Sequence, residues 1–272
     1  LQPGESRRVT ISVSDADLAS FDETASAWIT DPGTYTAHLG GYPGNYRSET
    51  AFKINKKLIR KVNDILAPVQ PVNTINPYLE HKQKLTWHDA SQFEILGRVY
   101  PDSLPVYARI PAFRKDVTRY EVYELGQHSA GISIRFRSDS PDIILKWNTV
   151  FNNHMTHMAD LGTRGLDLYV LTDDGRWRYL GPGRPMGNPT YWTAAANMEP
   201  KMREYMIHLS LYDQVDRLEI GIDDGYVIEK PVIKSPRRGK PVIIYGTSLA
   251  HGATASRPGM AASNILQREL DC

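Results

Sequence analysis

Short runs of β-branched and aromatic residues, bounded by Gly, Pro, Asp or Asn, set the pattern of this chain. They recur as ESRRVTISV, GTYTAHL and SETAFKI near the N-terminus, and as AGISIRFRS, DIILKWNTV, GLDLYVLT, RWRYLG, YMIHLSL and DRLEIGI in the middle. Several alternate polar with apolar positions, the period of a strand with one face buried. LDLYVLTDDGRWRYLG reads as a hairpin in which Asp174-Gly175 supply the positive φ angles of a tight reversal, with Trp177 and Tyr179 alternating on the returning strand. Helical spacing is confined to three places. SDADLASFD predicts a short helix that Ser14 caps, KKLIRKVNDIL a second through Leu58, Ile59, Val62, Ile65 and Leu66, and PGMAASNILQREL a third with Met260, Ala261, Ile265, Leu266 and Leu270 on or near one face. VIIY at 242–245 is apolar throughout, as in a strand buried on both faces of a parallel sheet.

Proline and glycine divide the chain. LAPVQPVNTINPY at 66–78 holds three prolines among Asn and Thr, a semi-extended connector because each Pro restricts its own φ and its predecessor. KSPRRGKP at 234–241 separates the sheet-rich middle from the closing segment. The expected organisation is therefore residues 1–55, a helix and Pro-rich linker at 56–78, a β-sandwich at 79–236 and a closing strand and helix at 237–272. Composition places the 272 residues among globular proteins, with 41% hydrophobic and 23% charged residues. The balance of 32 Lys and Arg against 31 Asp and Glu, without long like-charge runs, argues against capture of nucleic acid or acidic lipid and for a neutral partner. Cys272 is the single cysteine, which excludes an intrachain disulfide framework and a multi-cysteine metal site. No apolar run reaches membrane-spanning length.

Two resemblances organise these pieces. Pro3, Gly4 and Glu5, then a strand, then Asp17, Leu18 and Phe21, Trp28, and the Pro32-Gly33-x-Tyr35 turn together resemble the second half of the fibronectin type III-like domain that closes many family 3 glycoside hydrolases, the β-glucosidases and β-xylosidases. That domain is an accessory, so the resemblance implies no chemistry for residues 1–55. The stretch from LGQHSAGISIRFRSDSPDIILKW through GLDLY (Gly165 to Tyr169) to PVIIYGTSLAHGATASRPGM resembles the β-sandwich N-terminal domain and first catalytic block of SGNH hydrolases, the GDSL-like esterases that include carbohydrate deacetylases. Together they imply a mainly β chain: a partial fibronectin III-like sandwich, a jelly-roll-like antiparallel sandwich, then the first strand and helix of a truncated α/β domain. They also imply a fragment, inactive by itself, of a periplasmic or secreted enzyme that joins an esterase to a glycosidase module. Its partner would be an acetylated or otherwise esterified oligo- or polysaccharide, with no cofactor or metal.

Ser248 is the candidate nucleophile. VIIY would bring the chain to the carboxyl end of a strand, where open α/β sheets bind ligands, and a helix after Gly246 would aim backbone N–H groups back at the serine. The Ser248 amide is thus a candidate oxyanion donor. Its next glycine is Gly252, a spacing unlike the G-x-S-x-G elbow of α/β-hydrolases. Gly-Thr-Ser also reads as a plain strand-end turn. The resemblance implies a base and carboxylate in a D-x-x-H block after Cys272, and does not use His251. Arg257 is a candidate substrate contact near the reaction centre. His154, His157 and Asp160 have the spacing of metal ligands but equally suit a polar loop, and Asp167 reads more simply as a partner for backbone or Arg. Trp147, Trp177 and Trp192 suit either a sugar platform or the core. A non-catalytic glycan-binding or spacer sandwich is the alternative function.

Overall fold

In a computed structural model, the structure describes residues 10, 12–22, 24, 25, 27–42, 45–61, 84–233 and 242–270. The chain divides into two units, Leu1–Asp64 and Ile65–Cys272. In the first, the described strands are β1 (Ser20–Asp22), β2 (Ala27–Thr30), β3 (Gly33–Tyr42), β4 (Asn45–Ile54) and β5 (Leu58–Lys61). β2 lies between β1 and β5, while β3 and β4 form a separate hairpin; every pairing is antiparallel. Ala27 and Ile29 are buried, and Trp28 points the other way against Phe21 with ring centres 5.4 Å apart.

Among the described residues neither expected N-terminal helix forms. Ser14 does bond Asp17, through its N–H at 2.8 Å and hydroxyl at 2.7 Å, but only one turn forms before β1 begins. Leu58 to Lys61 pair with β2, Thr30 facing Leu58 and Ile29 facing Ile59. An open strand edge on β2 satisfies their backbone groups, and that pairing overrides the helical spacing. The rest of that expected helix and the Pro-rich connector lie outside the described residues, as does most of ESRRVTISV.

The second unit contains β6 (Leu85–Asp89), β7 (Glu94–Leu96), α1 (Tyr120–Gly126), β8 (Ser133–Ser138), β9 (Ile143–Thr149), α2 (Asp160–Arg164), β10 (Leu166–Leu171), β11 (Trp177–Gly183), β12 (Thr190–Ala195), β13 (Arg203–His208), β14 (Val215–Asp223), β15 (Ile228–Glu229), α3 (Ser248–His251) and α4 (Ala262–Leu270). One sheet runs β11-β10-β13-β8, with β15 and β7 sharing the far edge of β8; the other runs β12-β9-β14-β6. All are antiparallel, and the two sheets close a sandwich. Ile134, Phe136, Leu166, Leu168, Val170, Tyr205 and Ile207 of the first meet Ile143, Leu145, Trp147, Leu218, Ile220 and Ile222 of the second. The Trp147 ring is at the centre, 1% exposed, its indole N–H donating to the Arg164 carbonyl at 3.1 Å.

The hairpin at Asp174-Gly175 forms, with a different turn. Gly175 has φ 75°, whereas Asp174 is not among the residues with positive φ, and the Gly175 N–H donates to Thr172 O at 2.8 Å while Thr172 N–H donates to Arg176 O at 3.0 Å. This is a three-residue loop closed by a left-handed glycine. Asp174 instead accepts from the Thr172 hydroxyl and the Arg176 N–H, which holds it right-handed.

Alternation predicts that the outward residues of the first sheet should face water. Ser133, Arg135, Asp167, Tyr169, Met206 and His208 are nevertheless buried. Their cover is the chain itself, residues 248–270. The terminal helix, expected to have no sheet to pack on and to group Met260, Ala261, Ile265, Leu266 and Leu270 on or near one face, lies on this sheet face through Gln267 and Arg268; Ala261 is buried, whereas Met260, Leu266 and Leu270 stay exposed. The sheet beneath is polar, so the polar stripe of the helix wins the contact: Ser133 Oγ donates to Gln267 at 3.0 Å, and Arg268 Nη1 donates to His208 Nε2 at 2.9 Å. VIIY is no strand here. Val242, Ile243, Ile244 and Tyr245 are exposed, because no strand among the described residues offers them a ladder.

Replacing Trp147 by Ala removes the keystone of the sandwich and should lower the stability of the second unit by about 3–5 kcal/mol in urea unfolding. A change below about 1 kcal/mol would contradict the packing.

Candidate active site

Ser248 is the first residue of α3, a single turn. It is exposed, and among the described residues its hydroxyl and its N–H have no hydrogen-bond partner. As a first-turn amide, that N–H is one of the donors a helix cannot use internally. The turn closes when Gly252, at φ 102°, accepts the left-handed conformation that ends α3 and packs over Leu211. Ser248 O accepts from the Ala253 N–H at 2.8 Å and from the Tyr212 hydroxyl at 3.2 Å.

His251 is three residues further on and is committed elsewhere. Its Nε2 lies 2.6 Å from Leu211 O, so Nε2 carries the proton and donates. Its ring stacks on Tyr212 with centres 4.3 Å apart, meets His128 edge-on at 5.4 Å, and faces Arg109 Nη2, 3.3 Å from Nδ1. Burial, then the Arg109 charge, pushes its pKa down to about 3, and the same two causes hold His128 at about 4. A ring that is neutral and donating to a carbonyl is no base for Ser248. Arg109 is itself fixed by the carbonyls of His128, at 3.1 Å, and Leu125, at 2.5 Å.

A second cluster explains the signature at 165–169. Asp167 Oδ2 accepts from Arg257 Nη1 and from the Gly259 N–H, each at 2.7 Å. Arg257 Nη1 also donates to the Tyr169 hydroxyl at 2.9 Å, and its guanidinium lies over the Tyr179 ring at 3.8 Å. Arg268 stacks over Tyr169 at 4.1 Å and donates to Gly259 O at 2.8 Å. Only glycine fits at 259: a Cβ there would lie 2.3 Å from the Tyr169 oxygen. Asp167 is wholly buried, and desolvation raises its pKa despite Arg257 and Gly259. The chain reading of Asp167 as an Arg and backbone partner matches this geometry. Arg257, expected to contact substrate, has its Nη1 engaged inside the clamp.

The remaining candidates do not converge. His154 Nδ1 lies 3.0 Å from Asp160, whose other oxygen accepts from Arg164 at 2.8 Å, and His157 is exposed and outside the pair. Among the described residues no three His, Cys, Asp or Glu side chains gather closely enough to hold a metal ion. Trp147 and Trp192 are buried in the core, and Trp177 carries Arg135 5.4 Å above its ring. Arg109 and Tyr212 escaped sequence reasoning because Arg109 lies 142 residues from its histidine partner and nothing in LSLYD marks the tyrosine. Among the described residues no helix is long and apolar enough to cross a membrane.

Three stretches match known families. Residues 85–228 match the N-terminus of SGNH-hydrolase-type esterases, residues 239–272 the GDSL-like lipase/acylhydrolase family, and residues 1–42 the fibronectin type III-like domain. Among solved structures, a GDSL-like lipase from Bacteroides ovatus ATCC 8483 has TM-score 0.63 and 31% identity, over 68% of this chain and 53% of its own. A salicylyl-acyltransferase from a tetracycline biosynthetic pathway has TM-score 0.44 and 19% identity, over 60% of this chain and 44% of its own. A β-glucosidase from Ruminococcus albus is 34% identical over 77 residues, 26% of this chain and 8% of that protein. The chain thus spans about half the lipase and under a tenth of the β-glucosidase.

Two outcomes follow from the clusters. Asp167→Ala leaves Arg257 without its counter-charge and should destabilise the second unit by about 3–5 kcal/mol in chemical unfolding; a loss within about 0.5 kcal/mol would deny the clamp. The folded pKa values of His128, His208 and His251 are all depressed by burial and by neighbouring arginines. The unfolded chain therefore binds more protons below pH 6.5, and stability should be level above about pH 7 and fall as pH drops toward 4, by at most about 1.4 kcal/mol per pH unit for each histidine. A thermal midpoint that is flat from pH 7 to 5 would contradict this.

Proposed function

Because the chain belongs to the family of N-terminal domains of SGNH-hydrolase-type esterases, we propose that it carries the nucleophile-bearing part of an ester hydrolase, with Ser248 as the attacking residue. The observation that carries this reading is Ser248 at the head of α3, exposed, with both its hydroxyl and its N–H unengaged among the described residues. The GDSL-like match over residues 239–272 supports it.

In the proposed reaction, Ser248 Oγ attacks the carbonyl carbon of a substrate ester as a base removes its proton. Negative charge collects on the former carbonyl oxygen, to which the Ser248 N–H would donate. Collapse expels the alcohol, the base returning the proton to it, and leaves an acyl-serine that water hydrolyses by the same steps in reverse order. His251 is excluded as that base by its bond to Leu211 O. The proposed reaction needs a base and a carboxylate partner other than His251.

The proposed substrate is an acetylated glycan and the proposed setting a secreted, multi-modular enzyme with a linked family 3 glycosidase module. The β-glucosidase relative and the fibronectin type III-like match support that setting, and removing acetyl esters would expose glycosidic bonds to the neighbouring module. The proposed role of residues 1–55 is accessory, and Arg257 serves the clamp first and substrate only through it.

The test is the parent protein assayed on p-nitrophenyl acetate and acetylated xylan. Ser248→Ala should reduce turnover on the order of 10⁴-fold or more. Activity that survives the substitution would overturn the nucleophile assignment, and hydrolysis of the small ester without acetate release from xylan would remove the glycan substrate. Absence of any esterase activity would favour the spacer sandwich.

A further inference from the structure

The one-turn helix that presents Ser248 is too short to hold its own shape, since a single turn fixes several dihedrals for one hydrogen bond. What fixes it comes from the sandwich. The crossing from β13 to β14, residues 209–214, runs beneath α3 and is tied down at each step. Leu211 N–H donates to Gly162 O at 3.2 Å and Tyr212 N–H to Thr163 O at 3.1 Å, while Asn153 Nδ2 donates to Tyr212 O at 2.8 Å. The Asp213 carboxylate, wholly buried, accepts from the N–H groups of Phe151, Asn153 and Gln214 at 3.0, 2.7 and 2.8 Å. On this platform, Leu211 O takes the His251 proton at 2.6 Å, and the Tyr212 ring stacks on His251 while its hydroxyl reaches Ser248 O at 3.2 Å. Both ends of α3 are thereby bonded to two adjacent sandwich residues.

We infer that Tyr212 and His251 are positioning residues for the nucleophile: Tyr212 fixes the Ser248 peptide through its carbonyl, and His251 fixes the far end of the turn through Leu211. The inference rests on the reading of Ser248 as nucleophile. Neither side chain takes part in bond making. Tyr212 reaches the backbone of Ser248, and His251 Nε2–H is spent on a carbonyl. Arg109 also meets the His251 ring, its Nη2 3.3 Å from Nδ1 and 3.4 Å from Nε2, so the ring is held by the Tyr212 stack, the Leu211 carbonyl and this guanidinium together. Because an alignment error of an ångström at a reacting atom lowers rate strongly, loosening the turn should be read in the acylation step.

The experiment measures the rate of Ser248 phosphonylation by a fluorophosphonate, and kcat and KM for p-nitrophenyl acetate, in the parent protein. Tyr212→Phe deletes one hydroxyl and keeps the stack, and should label about fivefold more slowly, with kcat lowered and KM held, as expected for loss of one modest hydrogen bond. His251→Ala should label about tenfold more slowly or worse, and His251→Gln, whose amide nitrogen replaces the Nε2–H donor, should return to within about threefold of wild type. A lower thermal midpoint with unaltered labelling of the folded protein would mean a merely structural role and would overturn the inference. So would a His251→Gln variant as silent as Ser248→Ala, since that makes His251 a participant in the chemistry. Equal labelling of wild type and Ser248→Ala would instead sink the nucleophile reading beneath it.

Discussion

The buried carboxylate of Asp167 is the interaction on which the arrangement of the second unit depends. One oxygen takes two donors, from Arg257 and from the Gly259 N–H, two residues apart on a segment with little regular structure. A buried ion pair gains little net stability, because desolvation offsets most of the attraction, but it discriminates strongly between alignments. Sliding the 257–259 segment by one residue would break both bonds and drive a side chain into Tyr169. The carboxylate therefore sets registry, and Tyr169, Tyr179 and Arg268 enclose the result in ring and guanidinium contacts.

That registry has a consequence about ten residues upstream. With residues 257–259 fixed on the outer face of the sheet, the chain before them must return over the 209–214 crossing, where Leu211, Tyr212, His128 and Arg109 receive His251. Two kinds of force act there. The clamp is ionic and hydrogen-bonded, whereas the α3 platform is an aromatic stack around a neutral histidine beside a half-buried cation. The sandwich core, held by Trp147 and the facing aliphatic rows, stiffens the strands that carry both.

The sheets were legible because β-branched and aromatic runs bounded by turn residues are a local signal, which nine runs carry and several sharpen by alternation. Eight of them fall on described strands, β3, β4, β8, β9, β10, β11, β13 and β14. Failures trace to tertiary partners. Leu58 to Lys61 look helical until β2 offers them an edge, and VIIY looks like a buried strand although no described neighbour pairs with it. The terminal helix lies where its spacing puts it, but the face it buries is set by the polar sheet below, whose residues lie sixty or more positions earlier in the chain. That a helical turn starts at Ser248 was legible in the sequence, and the Asp167 partnership in kind but not in partner. Tyr212 and Arg109 were invisible, since their roles depend on proximity that no local pattern encodes.

Asp167 fastens the segment that follows Ser248 to the sandwich. Hydrogen exchange at the Gly259 amide tests it most directly, because that amide is in a 3₁₀ turn and has Asp167 as its acceptor. Exchange should be as slow as that of the β10 and β13 ladder amides, with an abrupt loss of that protection, the sheet amides unchanged, when Asp167 is replaced by Asn. Exchange at Gly259 as fast as in the exposed 242–246 stretch in the native protein would contradict it.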